Sequence, residues 1–535
     1  MRRRSGGESM YRMHTNALVV GSGIAGLTAA LTLADAGLEV ILLTSGDDLD
    51  DGNSALAQGG IVFRGEEDSP QLLERDILTC GWRYNSVRAV RYLARRGPQV
   101  VQEILLDRLH LPFDRKSDGE GFHLGREGGH SVPRILHMAD YTGRGIMEGL
   151  MAAVRACPSI KILVRRTAVD LLTSHHHATL LEFKYQLADQ CLGAYVLNEI
   201  SGQVETILAD FTVLATGGCG RLFLHTSNTR SCIGSALAMA SRAFAKVMNV
   251  EYIQFHPTTL FHRAERRLLI TEALRGEGAR LVNASGEPFM QRYDPRADLA
   301  PRDIVTRAIL AEMLKTEQDC VYLDVASYVK DLETHFPTVY QGCLDLGIDI
   351  TRTSIPVVPA AHYFCGGVLT DNAGRTTLDR LYAAGECACT GLHGANRLAS
   401  TSTLECLLWG YSSGCDIARR AEKKAATLSR RLLDSIPDWV SPGCNRNEDP
   451  ALIAQDWATI RNTMWNYVGI NRSSSRLKRA FEDLRELNKH LHDFYRETPL
   501  SKAIVDLFHG CQAAYTITIA AMQNRRSLGC HNRLD

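Results

Sequence analysis

The sequence lacks net charge, long apolar runs and closely paired cysteines, and each absence excludes a class of protein. Its 60 basic and 60 acidic residues cancel, so no general attraction to nucleic acid or to an anionic membrane surface is expected. No segment approaches the roughly 18 apolar residues of a membrane-spanning helix. The 15 cysteines include no C-x-x-C pair, which argues against an iron–sulfur cluster or a zinc ribbon. We therefore expect no metal site, no nucleic-acid partner and no membrane span.

Length and cysteine usage indicate a large protein with reduced thiols. A chain of 535 residues is long enough for two or three domains. The odd number and irregular spacing of the cysteines predict free thiols rather than a disulfide framework. The basic N-terminal segment has no apolar core of the secretory kind, so the expected location is the cytoplasm. His175–His177 lies in a less apolar region and is expected in a surface loop.

A glycine pattern near the N-terminus predicts a dinucleotide site. Four apolar residues, Ala17–Val20, predict a buried strand. A G-x-G-x-x-G turn formed by Gly21, Gly23 and Gly26 follows, and then comes an Ala/Leu-rich segment with helical character. Such a turn lets a pyrophosphate approach the backbone, and the helix start presents free N–H groups to it.

The second strand of this unit, expected at Glu39–Leu43, ends without the carboxylate that usually binds a ribose. Thr44 and Ser45 stand there instead. Their hydroxyls can bind a sugar, but the pattern is not that of a standard NAD site.

The segment Asn53–Ile61, NSALAQGGI, together with the glycine turn, resembles the flavoprotein family of succinate dehydrogenase, fumarate reductase and L-aspartate oxidase. The resemblance implies FAD as the cofactor. In the membrane-bound respiratory members a histidine bonds covalently to the flavin five residues before the glutamine. Here that position is Asn53, and an amide cannot form the bond, so the resemblance implies non-covalent FAD.

The segment REGGHS places Glu127 before paired glycines. In the dehydrogenases and fumarate reductases of this family the residue at that position tends to be uncharged, whereas the aspartate oxidases carry a glutamate. A substrate with an ammonium beside two carboxylates needs one negative partner, while succinate would be repelled by it. Glu127 is therefore the candidate for selecting an amino group.

A second glycine-rich segment, ADFTVLATGGCG, is expected where the flavin domain returns to the dinucleotide. Shortly after it, relatives carry a G-D-G near the flavin, and here Ser235 follows Gly234. The lost acidic contact is expected to weaken flavin affinity or to leave a donor unpaired.

Three polar segments match the capping domain of this family. The resemblance implies that His256 and Thr271 bind one substrate carboxylate and that Arg302, expected at a helix start, exchanges the proton. Glu272 and Arg275 are spaced i, i+3 and are expected to relay protons to Arg302.

Gln254 is expected to share a strand face with His256 and to bind substrate. Later in the chain, the resemblance assigns the second substrate carboxylate to His362 and to the guanidinium of Arg397 in GLHGANRLAS. The predicted catalytic set is therefore Arg302, Glu127, His256, His362 and Arg397.

The predicted FAD contacts come from five segments that include the glycine turn and a helix start near Ser400. They are Gly21, Ser22, Gly23, Ala25, Gly26, Thr44, Ser45, Asn53, Ser54, Ala57, Gln58, Gly59, Gly60, Ala215, Thr216, Gly217, Glu386, Ser402 and Leu404. Glu386 is expected to bind a ribitol or ribose hydroxyl.

The expected architecture is α/β, with a Rossmann-like FAD-binding domain, an inserted α+β capping domain and a C-terminal helical bundle. The predicted bounds are 1–248 and 364–433 for the FAD-binding domain, 249–363 for the capping domain and 434–535 for the bundle. Residues around Asp434–Pro450 read as a linker. Apolar residues recur with a helical period from Leu477 to Phe494, and a second helix is expected from Ser501 to Met522.

The resemblance implies oxidation of L-aspartate to iminoaspartate, with electrons passed to oxygen or fumarate. Iminoaspartate would then go to quinolinate synthase for NAD synthesis. Two alternatives stay open. One is a soluble fumarate reductase or succinate dehydrogenase flavoprotein, against which Asn53 and Glu127 speak. The other is a non-catalytic family member, which Ser235 and the missing strand-end carboxylate motivate.

Overall fold

The structure is a computed structural model that describes residues 11–117, 119–262, 268–423, 427–441, 443 and 450–535. Most of the segment expected as a linker after Pro437, and the first ten residues of the chain, lie outside the described residues.

Helices and strands alternate along the described part of the chain. The helices are α1 Ile24–Asp35, α2 Pro70–Cys80, α3 Val87–Val100, α4 Thr142–Arg155, α5 Ser174–His177, α6 Leu181–Lys184, α7 Ser235–Arg242, α8 Ala273–Gly276, α9 Arg302–Thr316, α10 Leu332–His335, α11 Pro337–Leu344, α12 Thr401–Ala421, α13 Arg430–Asp434, α14 Pro450–Val468, α15 Ser474–Glu497 and α16 Lys502–Gln523. The strands are β1 Arg12–Val20, β2 Val40–Leu43, β3 Ile61–Val62, β4 Leu124–Gly125, β5 Ile135–Leu136, β6 Ile160–Leu163, β7 Arg166–Thr173, β8 Cys191–Asn198, β9 Gln203–Leu214, β10 Val247–Met248, β11 Ile253–Leu260, β12 Arg280–Val282, β13 Val321–Asp324, β14 Ile355–Phe364, β15 Gly367–Leu369, β16 Leu381–Ala383, β17 Ala388–Cys389, β18 Asn471–Arg472 and β19 Asn532–Arg533.

A seven-stranded sheet in the order β6-β2-β1-β9-β8-β7, with β16 also paired to β9, is the centre of the first lobe. β1 pairs in parallel with β2 and β9, and β16 pairs in parallel with β9. The predicted strand Ala17–Val20 is the buried end of the longer β1. The predicted second strand is β2, which begins one residue later than expected. The expected α/β architecture is confirmed.

Helices α1 and α12 pack closely together beside this sheet. A Cβ atom added to Gly410 would lie 2.5 Å from Ala25 O, and one added to Gly414 would lie 2.6 Å from Thr32 Cβ. Glycine at both positions therefore allows the close approach, which fixes the middle of α12 against α1.

The second lobe contains a four-stranded antiparallel sheet in the order β11-β14-β13-β12. The register of β11 against β14 shifts after Gln254 and again after His256. Such irregularities re-aim side chains, and both fall on residues of the predicted site. The sheet lies within the predicted capping segment, while the exact domain bounds stay a prediction.

The C-terminal region is helical, as expected. The stripe on α15 buries Leu477, Ala480, Leu484 and Leu491, and α16 begins after Ser501, whose side chain accepts a hydrogen bond from Ile504 N. The preceding helix α14 was not predicted. None of the described helices combines the length and the hydropathy that a bilayer span requires.

The expectation that His175–His177 form a surface loop is wrong. These residues form α5, a single helical turn in which the Thr173 side chain accepts a hydrogen bond from His176 N. His177 accepts a hydrogen bond from Thr173 N at 3.1 Å, and its ring packs edge-on against Tyr195. Local capping and ring packing therefore order a segment whose composition suggested a loop.

Candidate active site

A cleft opens at the carboxyl ends of β1, β2 and β9, where ligands of parallel sheets bind. Twelve of the predicted FAD contacts line it: Gly21, Ser22, Gly23, Ala25, Thr44, Ser45, Asn53, Ser54, Ala215, Thr216, Gly217 and Glu386.

The glycine turn lines the part of this cleft next to the start of α1, where a phosphate would bind. Gly21 has a φ of +114°, and a Cβ atom there would lie 2.2 Å from Ala215 O. A Cβ atom on Gly26 would lie 1.9 Å from Gly21 O. Only glycine fits at either position, and α1 starts with no acidic residue in its first turn. The helix start is thus free to bind a pyrophosphate.

Glu386 provides a buried carboxyl on the opposite wall. Its Oε1 accepts a hydrogen bond from Phe364 N at 2.9 Å, and a Cβ atom on Gly218 would lie 2.2 Å from the same oxygen. Burial raises the pKa of Glu386 to about 7. A carboxyl of this kind can accept from or donate to a sugar hydroxyl. The cleft residues therefore fit FAD.

The other predicted FAD contacts are placed differently. Ala57 packs under α4, where a Cβ atom on Gly143 would lie 2.8 Å from Ala57 Cβ. Leu404 is fully buried, and its side chain packs against Gly97. Gln58 Oε1 is buried without a hydrogen-bond partner among the described residues. Gly60 lies against Leu136 O.

Gln254 joins two arginines at the boundary between the lobes. Its Oε1 accepts from Arg302 Nη1 at 3.3 Å and from Arg397 Nε at 3.2 Å. Its Nε2 donates to Asn396 Oδ1 at 2.7 Å and to Arg397 O at 2.8 Å. Both ends of the amide are thus used within the protein. Gln254 sets the distance between the two guanidinium groups, a function that its spacing in the sequence did not reveal.

Arg302 forms an ion pair with Glu272, as Nε donates to Glu272 Oε2 at 2.6 Å. Arg275 Nη2 lies 3.8 Å from the other oxygen of Glu272. Burial opposes ionisation of Glu272, but Arg302 and Arg275 lower its pKa to about 2. Burial alone would lower the pKa of Arg302, yet Glu272 and Glu127 raise it. The structure therefore contains a continuous Arg302–Glu272–Arg275 chain of charges.

Arg397 is held from three directions. Besides Gln254, its Nη1 donates to Ser402 Oγ at 2.9 Å, and its guanidinium lies over the Tyr363 ring at 4.4 Å. Tyr363 in turn donates to the buried Glu405 at 2.8 Å, which also accepts from His393 Nε2 at 2.8 Å. This supporting network was not predicted.

The rings of His256 and His362 are in edge-to-face contact within the same cluster, with centroids 5.2 Å apart. His256 Nδ1 is held by the Thr258 backbone, and His362 Nδ1 lies 2.9 Å from Ser227 Oγ. Burial and the neighbouring Arg302 lower the pKa of His256 well below its ordinary value. Burial and His256 do the same for the pKa of His362. Both rings are therefore neutral near pH 7.

Glu127 closes the cluster from the first lobe. It is half-buried, and its Oε2 accepts from Ser400 Oγ at 2.6 Å. A Cβ atom on Gly59 would lie 2.1 Å from Glu127 Oε1, and one on Gly128 would lie 2.4 Å from Glu272 Oε1. The REGGHS segment thus packs directly on the Arg302–Glu272 pair, and Thr271 lies buried beside it.

These contacts place all five predicted catalytic residues in one cluster. The cluster contains two guanidinium groups, two neutral imidazoles and the carboxylates of Glu127 and Glu272, the latter already paired with Arg302. Such a set can bind a dicarboxylate that also carries a cation. Ser235, which the sequence placed near the flavin, lines the cofactor cleft, whereas Arg166, Lys502 and Asp506 line it without having been predicted.

Comparisons with known proteins agree with this geometry. The family described as FAD binding domain matches residues 16–403. The L-aspartate oxidase of Pseudomonas aeruginosa is 43% identical over 534 residues, covering 98% of this chain and 96% of the relative. The chloroplastic L-aspartate oxidase of Arabidopsis thaliana is 37% identical, covering 97% of this chain and 80% of the relative.

Solved structures show the same fold. A chain of E. coli quinol fumarate reductase superposes with a TM-score of 0.86 at 26% identity, covering 98% of this chain and 92% of that chain. Adenylylsulfate reductase from Archaeoglobus fulgidus superposes with a TM-score of 0.67 at 17% identity, covering 97% of this chain and 90% of that chain, and shows the fold alone. The chain therefore belongs to the family of FAD-binding flavoproteins and, within it, to the L-aspartate oxidases.

Proposed function

We propose that this protein oxidises L-aspartate to iminoaspartate, the first step of NAD biosynthesis through quinolinate. The observation that carries the proposal is the carboxylate of Glu127 close to Arg302, which Gln254 joins to Arg397. A dicarboxylate alone would need only the positive and imidazole groups. The added negative group fits a substrate that carries an ammonium.

Each end of the substrate has its own partners. His256 and Thr271 bind one carboxylate, and His362 and Arg397 bind the other. Neutral imidazoles can donate hydrogen bonds without adding charge, and the guanidinium of Arg397 offers a fork that matches a carboxylate. Glu127 takes the ammonium and so fixes which carbon of the substrate is oxidised.

FAD, when bound in the adjoining cleft, supplies the two-electron acceptor. Arg302 exchanges a proton with the substrate. Arginine is an unusual acid/base group because its ordinary pKa exceeds about 12, so it needs a route that returns the proton quickly. Glu272 and Arg275 supply that route, because Glu272 contacts both guanidinium groups.

Electrons then pass to oxygen or fumarate, and we propose quinolinate synthase as the enzyme that uses the product. The cytoplasmic location stays a prediction.

The test is anaerobic titration of the purified, flavin-containing protein. L-Aspartate should bleach the flavin absorbance band, and succinate at equal concentration should leave it largely intact. Faster bleaching by succinate would replace this proposal with a dehydrogenase of the same fold. A protein that takes up no added FAD would favour a non-catalytic family member.

A further inference from the structure

The C-terminal helix α16 reaches the cofactor cleft, although its sequence pattern predicted only a packed helix. Lys502 and Asp506, one turn apart on α16, line the cleft together with Ser235 and with Arg166 of β7. Lys502 Nζ lies 3.0 Å from Asp506 Oδ2, and their side chains are 35% and 21% exposed.

The placement of α16 is fixed by the elements that form this end of the cleft. His509 Nε2 bonds to Val169 O on β7 at 3.0 Å. Arg242 at the end of α7 bonds to the same carbonyl at 2.9 Å and to Gln512 of α16. A Cβ atom on Gly234, just before Ser235, would lie 2.7 Å from Ala513 Cβ. The helix that presents Asp506 is therefore packed on the helix that starts at Ser235.

This end of the cleft is the one where a nucleotide sugar would lie. It includes Thr44 and Ser45 at the end of β2, where a ribose-binding carboxylate usually stands and is missing here. The end of β2 therefore offers no carboxylate that could accept hydrogen bonds from sugar hydroxyls.

Asp506 has the properties of a replacement. Burial raises its pKa above the ordinary value, Lys502 opposes that effect, and the carboxylates of Glu199 and Asp51 add to it. It is therefore a partly desolvated carboxylate in contact with one cation and open to the cleft. Asp51 also lines the cleft but is exposed, and its side chain folds against Gly46.

We propose that Asp506, held in place by Lys502, binds the sugar hydroxyls in the adenosine half of FAD and takes the place of the carboxylate that is missing at the end of β2. The inference rests on FAD as the family's cofactor and not on the choice of substrate. Its failure can therefore be told apart from failure of the aspartate assignment.

The test measures binding of the two halves of FAD to the apo-protein by calorimetry, with ADP as the probe of the adenosine half and FMN as the probe of the flavin half. Asp506→Asn should weaken FAD and ADP by on the order of tenfold, since a charge-assisted hydrogen bond is lost. FMN affinity should stay within about twofold on the same reasoning.

The exposed Asp483→Asn on α15 is the control, and it should bind ADP as the unchanged protein does. Unchanged ADP binding in Asp506→Asn, or equal losses for ADP and FMN, would each overturn the proposal.

A second measurement needs no variant. In hydrogen exchange on the unchanged apo-protein, ADP should slow exchange in the first two turns of α16, whereas FMN should not. Equal exchange with and without ADP would overturn the proposal even if Asp506→Asn failed to fold.

Discussion

Replacing Glu272 by glutamine separates its charge from its shape. The amide oxygen can still accept from Arg302 Nε, which now donates to the carboxylate at 2.6 Å. The negative charge between Arg302 and Arg275 is lost, and so is the ability to exchange a proton. The substitution therefore tests whether the Arg302–Glu272–Arg275 chain serves catalysis, folding or both.

The lowered pKa of Glu272 gives the size of its contribution to folding stability. A lowering of the Glu272 pKa from 4.5 to about 2 corresponds to about 3 kcal/mol of stability. This carboxyl is held charged in the folded state, so its contribution is present above pH 4.5. It is lost as the pH falls toward 2. Glu272→Gln should lower the free energy of unfolding at pH 7 by about 3 kcal/mol and flatten its dependence on acid pH.

The effect of Glu272→Gln on catalysis is measured by following flavin reduction in a stopped-flow experiment. If Glu272 relays the proton, kcat in Glu272→Gln should fall on the order of 100-fold, with little change in the KM for aspartate. Glu272→Asp, which keeps the charge, should recover part of the rate. Glu277→Gln is the matched control, because Glu277 lies at the end of the same short helix and is exposed.

A variant that loses stability but keeps its kcat would refute the relay and leave Glu272 a structural ion-pair partner. An unchanged unfolding free energy would refute the magnitude worked from the pKa.

Three further outcomes are expected. Arg302→Leu should lower the rate of flavin reduction on the order of 100-fold or more if it exchanges the proton, and retained turnover would remove that role. Because burial keeps His256 and His362 neutral, the KM for aspartate should show no step near pH 6.5, and a rise centred there contradicts their neutral state. Gly128→Ala would place a Cβ atom 2.4 Å from Glu272 Oε1; kcat should fall with FAD affinity intact, and wild-type kinetics would show that the loop yields.

The opening unit of the fold was predictable because its signals are local. The glycine spacing at Gly21, Gly23 and Gly26 and the apolar strand before it determine a turn within ten residues, and the structure has that turn. Helix α14 was not predicted, although it buries Ile460, Met464 and Val468 at helical spacing, because the prolines that precede it and begin it indicate a linker.

The sequence predicted which residues form the site, but it did not predict all of the contacts that they make. His256, Arg302 and Arg397 were found through resemblance to a family. The structure shows that the side-chain oxygen of Gln254 accepts hydrogen bonds from two arginines that are 48 and 143 residues away. No local sequence pattern predicts such contacts. Likewise, the i, i+4 spacing of Lys502 and Asp506 indicates only a helical pair; their position in the cleft depends on how α16 packs.

The proposed role of Glu127 is to select a substrate with an amino group, and the variant Glu127→Gln removes the charge on which that role depends. The measurement is the ratio of anaerobic flavin-reduction efficiencies, kcat/KM, for L-aspartate and succinate in the unchanged protein and in the variant. Loss of a charge-assisted contact to the ammonium should lower that ratio on the order of 30-fold or more, mainly through a loss with aspartate. A ratio that stays the same, with both substrates affected equally or not at all, would contradict the account.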